Sequence, residues 1–173
     1  MPTLNPDKLG ELSKFYYQIT NYNHGDAASP VPDATILADT TWKEFCIKNL
    51  SRSATKEMRE VMDRCNPFLK TYSPGRSDKG LSFELNQFRW SQNIADLKAF
   101  HAAVEAGSVF AVLALNDERE QTDAWGIIGN WVIEENSTEE PEDGHNTESY
   151  TLKPAALSVV NPAVRWIYGA DIP

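Results

Sequence analysis

A mainly β domain with one flanking α-helix is what the sequence predicts, and three stretches predict it. Leu81, Phe83 and Leu85 alternate with Ser82 and Glu84, the period-two pattern of a half-buried strand. Ile94, Leu97, Phe100, His101 and Val104 share one helical face, and Gly107 stands where a left-handed residue ends a helix. Val109 to Leu115 is a short apolar run, fit for a strand buried on both faces.

Taken in chain order, residues 1–35 read as an N-terminal helix and arm. Leu9, Leu12, Phe15, Tyr16 and Ile19 recur at helical spacing, and Asn21 to Pro32 has the composition of a loop or extended arm. Such an arm either packs along its own domain or reaches a neighbour, and the sequence leaves both open. Ile36 to Leu50 suits helix or strand equally, and Asn49 to Ser53 reads as a turn. From Ala54 to Met62 strand alternation competes with the helix propensity of Lys, Met and Glu.

Residues 66–80 read as a turn-rich basic loop emptying into the Leu81–Leu85 strand. There the apolar phase slips to Phe88 and Trp90, as at a β-bulge. Asn93 is placed to cap the helix, with Asp96 in its first turn. A charged turn, Asn116 to Glu120, leads to a strand from Trp125 to Ile133. Residues 134–149 read as an acidic surface loop, since Glu134 to Glu148 holds seven acids and no Lys or Arg. A strand from Tyr150 follows, with Pro154 at an edge or bulge, and Val164 to Tyr168 is apolar enough to pack.

At 173 residues, with 41% hydrophobic and 24% charged, the chain fits one globular domain spanning 1–173. No apolar run approaches the ~20 residues of a membrane span, and no signal peptide opens the sequence, so synthesis in a cytosol is expected. The net charge of −9 argues against holding nucleic acid through its phosphates. An acidic wall does suit a conduit that must not retain DNA.

Catalytic chemistry is hard to find. His24, His101 and His145 are scattered, and His101 reads as a packed or satisfied histidine. No nucleophile elbow, phosphate loop or dinucleotide fingerprint occurs. Cys46 and Cys65 read as buried thiols rather than as metal ligands. Glu134–Glu135 and Glu139–Glu140 lack the spacing of a calcium loop. The expectation is therefore no catalytic residue, no cofactor, no metal and no enzyme.

The order of elements from Ser51 to Pro154 resembles the major tail tube proteins of long-tailed bacteriophages. Arg59-Glu60-Val61 with Asp63-Arg64 looks like that family's polar strand and turn before its long loop. Tyr72 to Asp78, entering Leu81 to Leu85, is similar to its tyrosine/proline–glycine loop and next strand. One helix (Ile94–Ala106) followed by Val109–Leu115, Trp125–Ile133 and Tyr150–Pro154 matches the remaining layout.

The resemblance implies a β-sandwich or barrel-like domain with a flanking helix. It further implies six-fold rings whose inner strands join in one barrel, stacked into a tube that delivers DNA. Partners would be other copies and further tail proteins such as a terminator, baseplate or sheath. DNA would pass the lumen without specific binding, and no membrane would be involved. The location would be the virion tail, after synthesis in the host bacterial cytoplasm. In that setting Lys70, Arg76 and Lys79 of the 66–80 loop are expected to meet acids of the adjacent ring, and Glu57 and Glu60 to face the lumen. A related secretion-system tube would share the fold. Two readings from other classes remain: a small-ligand-binding or lyase-like α+β cone, and an acidic inhibitor or immunity protein acting through the 134–149 loop.

Overall fold

A computed structural model of the chain describes residues 14–25, 29–45, 47–62, 70–86, 94–140, 146–155 and 164–170. Its elements are β1 (Lys14–Gln18), α1 (Asp33–Leu37), β2 (Lys43–Phe45), β3 (Ile47–Met62), β4 (Lys70–Asn86), α2 (Ile94–Glu105), β5 (Phe110–Leu115), β6 (Trp125–Glu139), β7 (Thr147–Pro154) and β8 (Val164–Tyr168). All strand pairs are antiparallel, in the order β2-β1-β5-β6-β7-β4-β3, and β8 also pairs with β6. The fold is mainly β with flanking helix, as the sequence predicts.

The length of β6 makes the sheet double. Its first half, Gly126–Trp131, pairs with β5, and Trp125–Gly129 pairs with β8 on the opposite edge. Its second half, Trp131–Glu139, pairs with β7, with a register shift between Ile133 and Glu135. One strand thus belongs to a body sheet, β2-β1-β5-β6-β8, and to a hairpin sheet, β6-β7-β4-β3. The sheet folds over between them. Phe15 of β1 meets Phe83 of β4 at a ring-centroid distance of 4.4 Å although three strands separate β1 from β4 in the sheet.

Alternation explains what fills the fold. Phe15 and Tyr17 of β1, with Phe110, Val112 and Ala114 of β5, face Leu81, Phe83 and Leu85 of β4 and Tyr150 and Leu152 of β7. Helix α2 closes this core with Phe100 and Ala103. The other face of the body sheet, with Tyr16, Ala111, Leu113, Leu115, Ile128 and Ile167, packs beneath Ile36 of α1 and Trp42. Strand β5 is therefore buried throughout, as its apolar run requires. Gly107 has φ 64°; its N–H reaches the Val104 carbonyl and that of Ser108 reaches Ala103, so both last-turn carbonyls are satisfied at the predicted stop. Gly126 lies so close to β5 that a Cβ there would run into the Ala114 carbonyl.

Four expectations change. Residues 14–18 form strand β1, not the end of a helix, because a hydrogen-bonding berth beside β5 and two buried aromatic faces outweigh local periodicity. Asn49–Ser53 is no turn: β3 runs through it with one extra residue opposite β4, absorbed by Asn49 at φ 52°. Residues 70–80 are strand rather than loop; β4 pairs with β3 from Met62↔Lys70 to Ile47↔Leu85, and Pro74-Gly75-Arg76 sits at a second register shift. Glu134 to Glu139 is likewise strand, so the predicted acidic loop shrinks to the connection between β6 and β7. Phe88, Trp90, Asn93, Cys46, Cys65 and His145 lie outside the described residues.

The arm question is answered for residues 22–25 and 29–42, which pack on their own body. Asn130, 1% exposed, accepts from the Tyr22 N–H at 2.8 Å and donates to the Tyr22 carbonyl at 3.0 Å. Arg165 bonds Asp33 and the Val31 carbonyl at 2.6 and 2.7 Å. Replacing Asn130 by Ala removes both Tyr22 bonds at a buried position and is expected to cost about 2 kcal/mol. Thermal melting checks the stability, and limited proteolysis should cut within Tyr22–Trp42 sooner than in the parent chain.

Candidate assembly surface

The hairpin sheet has two unlike faces, and its register shows how they arise. Directly paired residues share a face, so rows can be read across all four strands. One row is Arg52, Leu81, Leu152 and Ile133, on the core side. The neighbouring row is Ser51, Ser82, Thr151 and Glu135, and the next on that same outer side is Lys48, Glu84, Ser149 and Ser137. Ser53 opposite Gly80, Thr55 opposite Asp78, and Glu139 opposite Thr147 extend the outer face.

This outer face is made of small hydroxyl side chains with scattered charge. Its residues are half-buried or exposed, and no large apolar side chain interrupts these rows. Acids Asp78, Glu84, Glu135 and Glu139 outnumber Lys48 and Lys153, and Lys153 is engaged by Asp78 at 3.2 Å and Glu134 at 3.9 Å. Glu84 accepts from Asn49 at 2.6 Å. Such a face has hydrogen-bonding groups for water and few cations for a phosphate backbone.

Both borders of the hairpin sheet are open among the described residues. Among the described residues no strand pairs with the outer edge of β3, or with β6 beyond Trp131 on the side away from β7. Strand β4 pairs with β7 only over Leu81–Asn86, so Thr55–Met62 and Lys70–Asp78 continue as a two-stranded ribbon. At about 3.3 Å per residue the ribbon reaches ~25 Å past the body. Open edges and an isolated ribbon are unsafe for a monomer and useful where another chain covers them.

The sequence-predicted residues map onto this surface unevenly. Lys70 and Arg76 fall on the ribbon strand β4, Arg76 beside the register shift; Glu57 and Glu60 fall on β3, and the side chains of all four lie outside the described residues. Lys79 lies at the ribbon's base, where its ammonium donates to the Val164 carbonyl of its own chain at 3.4 Å.

His101 has the partner that the sequence did not reveal. Its Nε2 lies 2.8 Å from Oε2 of Glu148, a carboxylate 5% exposed that also accepts from the Tyr150 hydroxyl at 2.6 Å. Burial, then the bond to Glu148, raises the Tyr150 phenol above its usual range. The cluster fastens α2 to β7, so His101 is a satisfied histidine. Glu148 was hidden within the acidic run, where its inward phase beside Tyr150 was the available signal. Among the described residues no group of three or more His, Cys, Asp or Glu is arranged to hold a metal, and no helix is long and apolar enough to cross a membrane.

No family model matches the chain, and no curated protein matches it in sequence. Solved structures do. A subunit of the SPP1 tail tube, from a hybrid solid-state NMR and cryo-EM structure, superposes with a TM-score of 0.57 at 15% identity, covering 93% of this chain and 80% of that one. A chain of the anti-feeding prophage baseplate, from a 6-fold symmetrised cryo-EM structure, gives 0.55 at 9% identity over 93% and 95%. The chain has the fold shared by these phage tail tube and baseplate structures.

Proposed function

We propose that this chain is a structural subunit of a tail tube: copies join edge to edge into six-fold rings, rings stack, and the Ser/Thr face lines the channel for DNA. The observation that carries the reading is a hydroxyl-rich face bounded by two open strand edges. Within one copy β6, β7, β4 and β3 alternate in direction. Rotating a copy about a ring axis brings the free edge of β3 beside the free half of the next copy's β6, and those two strands then run antiparallel. Four strands per copy keep the alternation intact around a closed ring, and closure covers both borders of the hairpin sheet.

The fold likeness to a tail tube subunit supports the same reading. Glu57 and Glu60, both on β3, are the lumen candidates. The ribbon carrying Lys70 and Arg76 is the element proposed to contact the adjacent ring. No reaction is assigned to the chain. The expected location is the virion tail after synthesis in the host cytoplasm, with other tail proteins at the tube's ends or around it. The inhibitor reading loses its acidic loop, since Glu134–Glu139 belongs to the sheet.

Negative-stain microscopy and analytical ultracentrifugation of the purified chain test the proposal. Concentration-dependent rings or tubes with an open channel are expected. A monomer at every concentration, or filaments without a channel, would overturn it.

A further inference from the structure

The two open borders of the hairpin sheet carry opposite charge on one and the same face. On β3 the described side chains include three cations, Lys48, Arg52 and Lys56. Lys48 pairs in register with Glu84 and stands on the outer, hydroxyl-rich side; Arg52 pairs with Leu81 on the core side, and Lys56 shares its phase. Arg52 is also committed within its own chain, donating from Nη2 to the Ala114 carbonyl at 3.0 Å. Lys48 is exposed, and among the described residues no carboxylate is paired with it. The neighbouring Glu84 is taken by Asn49 at 2.6 Å.

On the opposite border, β6 places Glu135 and Glu139 on the outer side, opposite Thr151 and Thr147, with Ser137 between them. Both acids are exposed and have no cation partner among the described residues. Glu134, the extra residue at the register shift, is instead drawn toward Lys153 at 3.9 Å. Within one copy, strands β4 and β7 stand between β3 and this half of β6. Three strand spacings, about 14 Å, therefore separate Lys48 from these acids in its own chain.

Strand phase decides what Lys48 meets when the β3 edge of one copy pairs with the β6 edge of the next. A slip of one residue would turn core-side residues onto the outer face, so the available registers differ by steps of two. Continuing the row Ser51, Ser82, Thr151 and Glu135 straight across puts Lys48 opposite Ser137. Glu135 and Glu139 are then its diagonal neighbours, about 7–8 Å away and within reach of a long side chain. A slip of two in one direction puts Lys48 directly opposite Glu135, and in the other opposite Glu139. In all three registers its counter-charge is one of these two acids.

We propose that Lys48 of one copy forms an ion pair with the Glu135–Glu139 row of the neighbouring copy across the edge-to-edge seam. The proposal rests on the ring reading above and names the charged contact within it. Lys153 is already engaged by Asp78 and Glu134. Pairing Lys48 as well leaves that cation unable to hold a passing phosphate.

Carbodiimide cross-linking of assembled protein, from an equal mixture of natural-abundance and nitrogen-15 chains, tests the contact. Mixed-isotope peptides joining Lys48 to Glu135 or Glu139 are expected. Lys48→Glu should raise the concentration needed for assembly ~10-fold by setting like charges across the seam. Adding Glu135→Lys and Glu139→Lys to the same chain should restore it. Combined with Lys56→Glu, a reversal in the other phase, the same two lysine substitutions should not restore assembly. Circular dichroism and a melting curve confirm that each variant is folded. Tubes of the parent chain without the Lys48 cross-link, or a folded triple variant that fails to regain assembly, would overturn the pairing and leave the assembly reading standing. A parent chain that never assembles overturns both.

Discussion

Replacing residues 57–76 by Asn-Gly should leave a folded monomer that forms neither rings nor tubes. Lys56 pairs with Ser77, so a two-residue turn joins β3 to β4 in the existing register and removes the ribbon whole. The hydrophobic clusters of the described residues stand on the strands and helices that remain. The melting temperature should therefore change by no more than a few degrees, surface alterations being worth about ±0.5 kcal/mol. Assembly, in contrast, loses the ribbon and much of the β3 edge together. Trimming Ser73–Lys79 alone is a poorer experiment, because those residues are one side of a ladder and their loss leaves β3 without partners. Circular dichroism and negative-stain microscopy on the same preparation decide the matter. Normal tubes from the shortened chain would remove the ribbon from the assembly surface.

The second large effect concerns stability. Phe100, 2% exposed, places its ring 4.9 Å from Phe45, 5.2 Å from Phe110, 5.3 Å from Tyr150 and 5.7 Å from Tyr17. It joins α2 to both halves of the sandwich at one point. Phe100→Ala leaves a cavity amid rings too rigid to collapse into it, at a cost of about 3–5 kcal/mol. For a domain of this size that is a fall of about 6–20 °C in the melting temperature. Phe100→Leu fills most of the space and should recover more than half of the loss. Calorimetry reads both, and a fall of under about 3 °C for the alanine variant would show that α2 is not essential to this core.

How far the sequence could be read depended on whether the signal was local. The Leu81–Leu85 alternation, the α2 face with its Gly107 stop, and the doubly buried β5 were all legible, because each is a periodicity within one element. Asn49 and Pro74-Gly75 misled. Both mark backbone departures, but a bulge and a chain reversal use the same residues. The difference lies in the partner strand, and Asn49 and Pro74-Gly75 each stand within the β3–β4 ladder. The acids of 134–139 misled similarly: charge in sequence looks like loop, whereas in the ladder Glu135 and Glu139 are simply the outward phase of a strand.

The sequence by itself determined the fold class, the placement of the long helix and the alternating phases that separate a hydroxyl-rich face from the core. The tertiary structure alone decided which edges stay open among the described residues, that Glu148 serves His101, and that Arg52 and Lys79 each reach a backbone carbonyl of a distant strand. The physical reason is that phase is written residue by residue along one strand, while an unpaired edge or an unmatched charge is a relation among strands distant in the chain. Such a relation exists only after the sheet has folded over on itself.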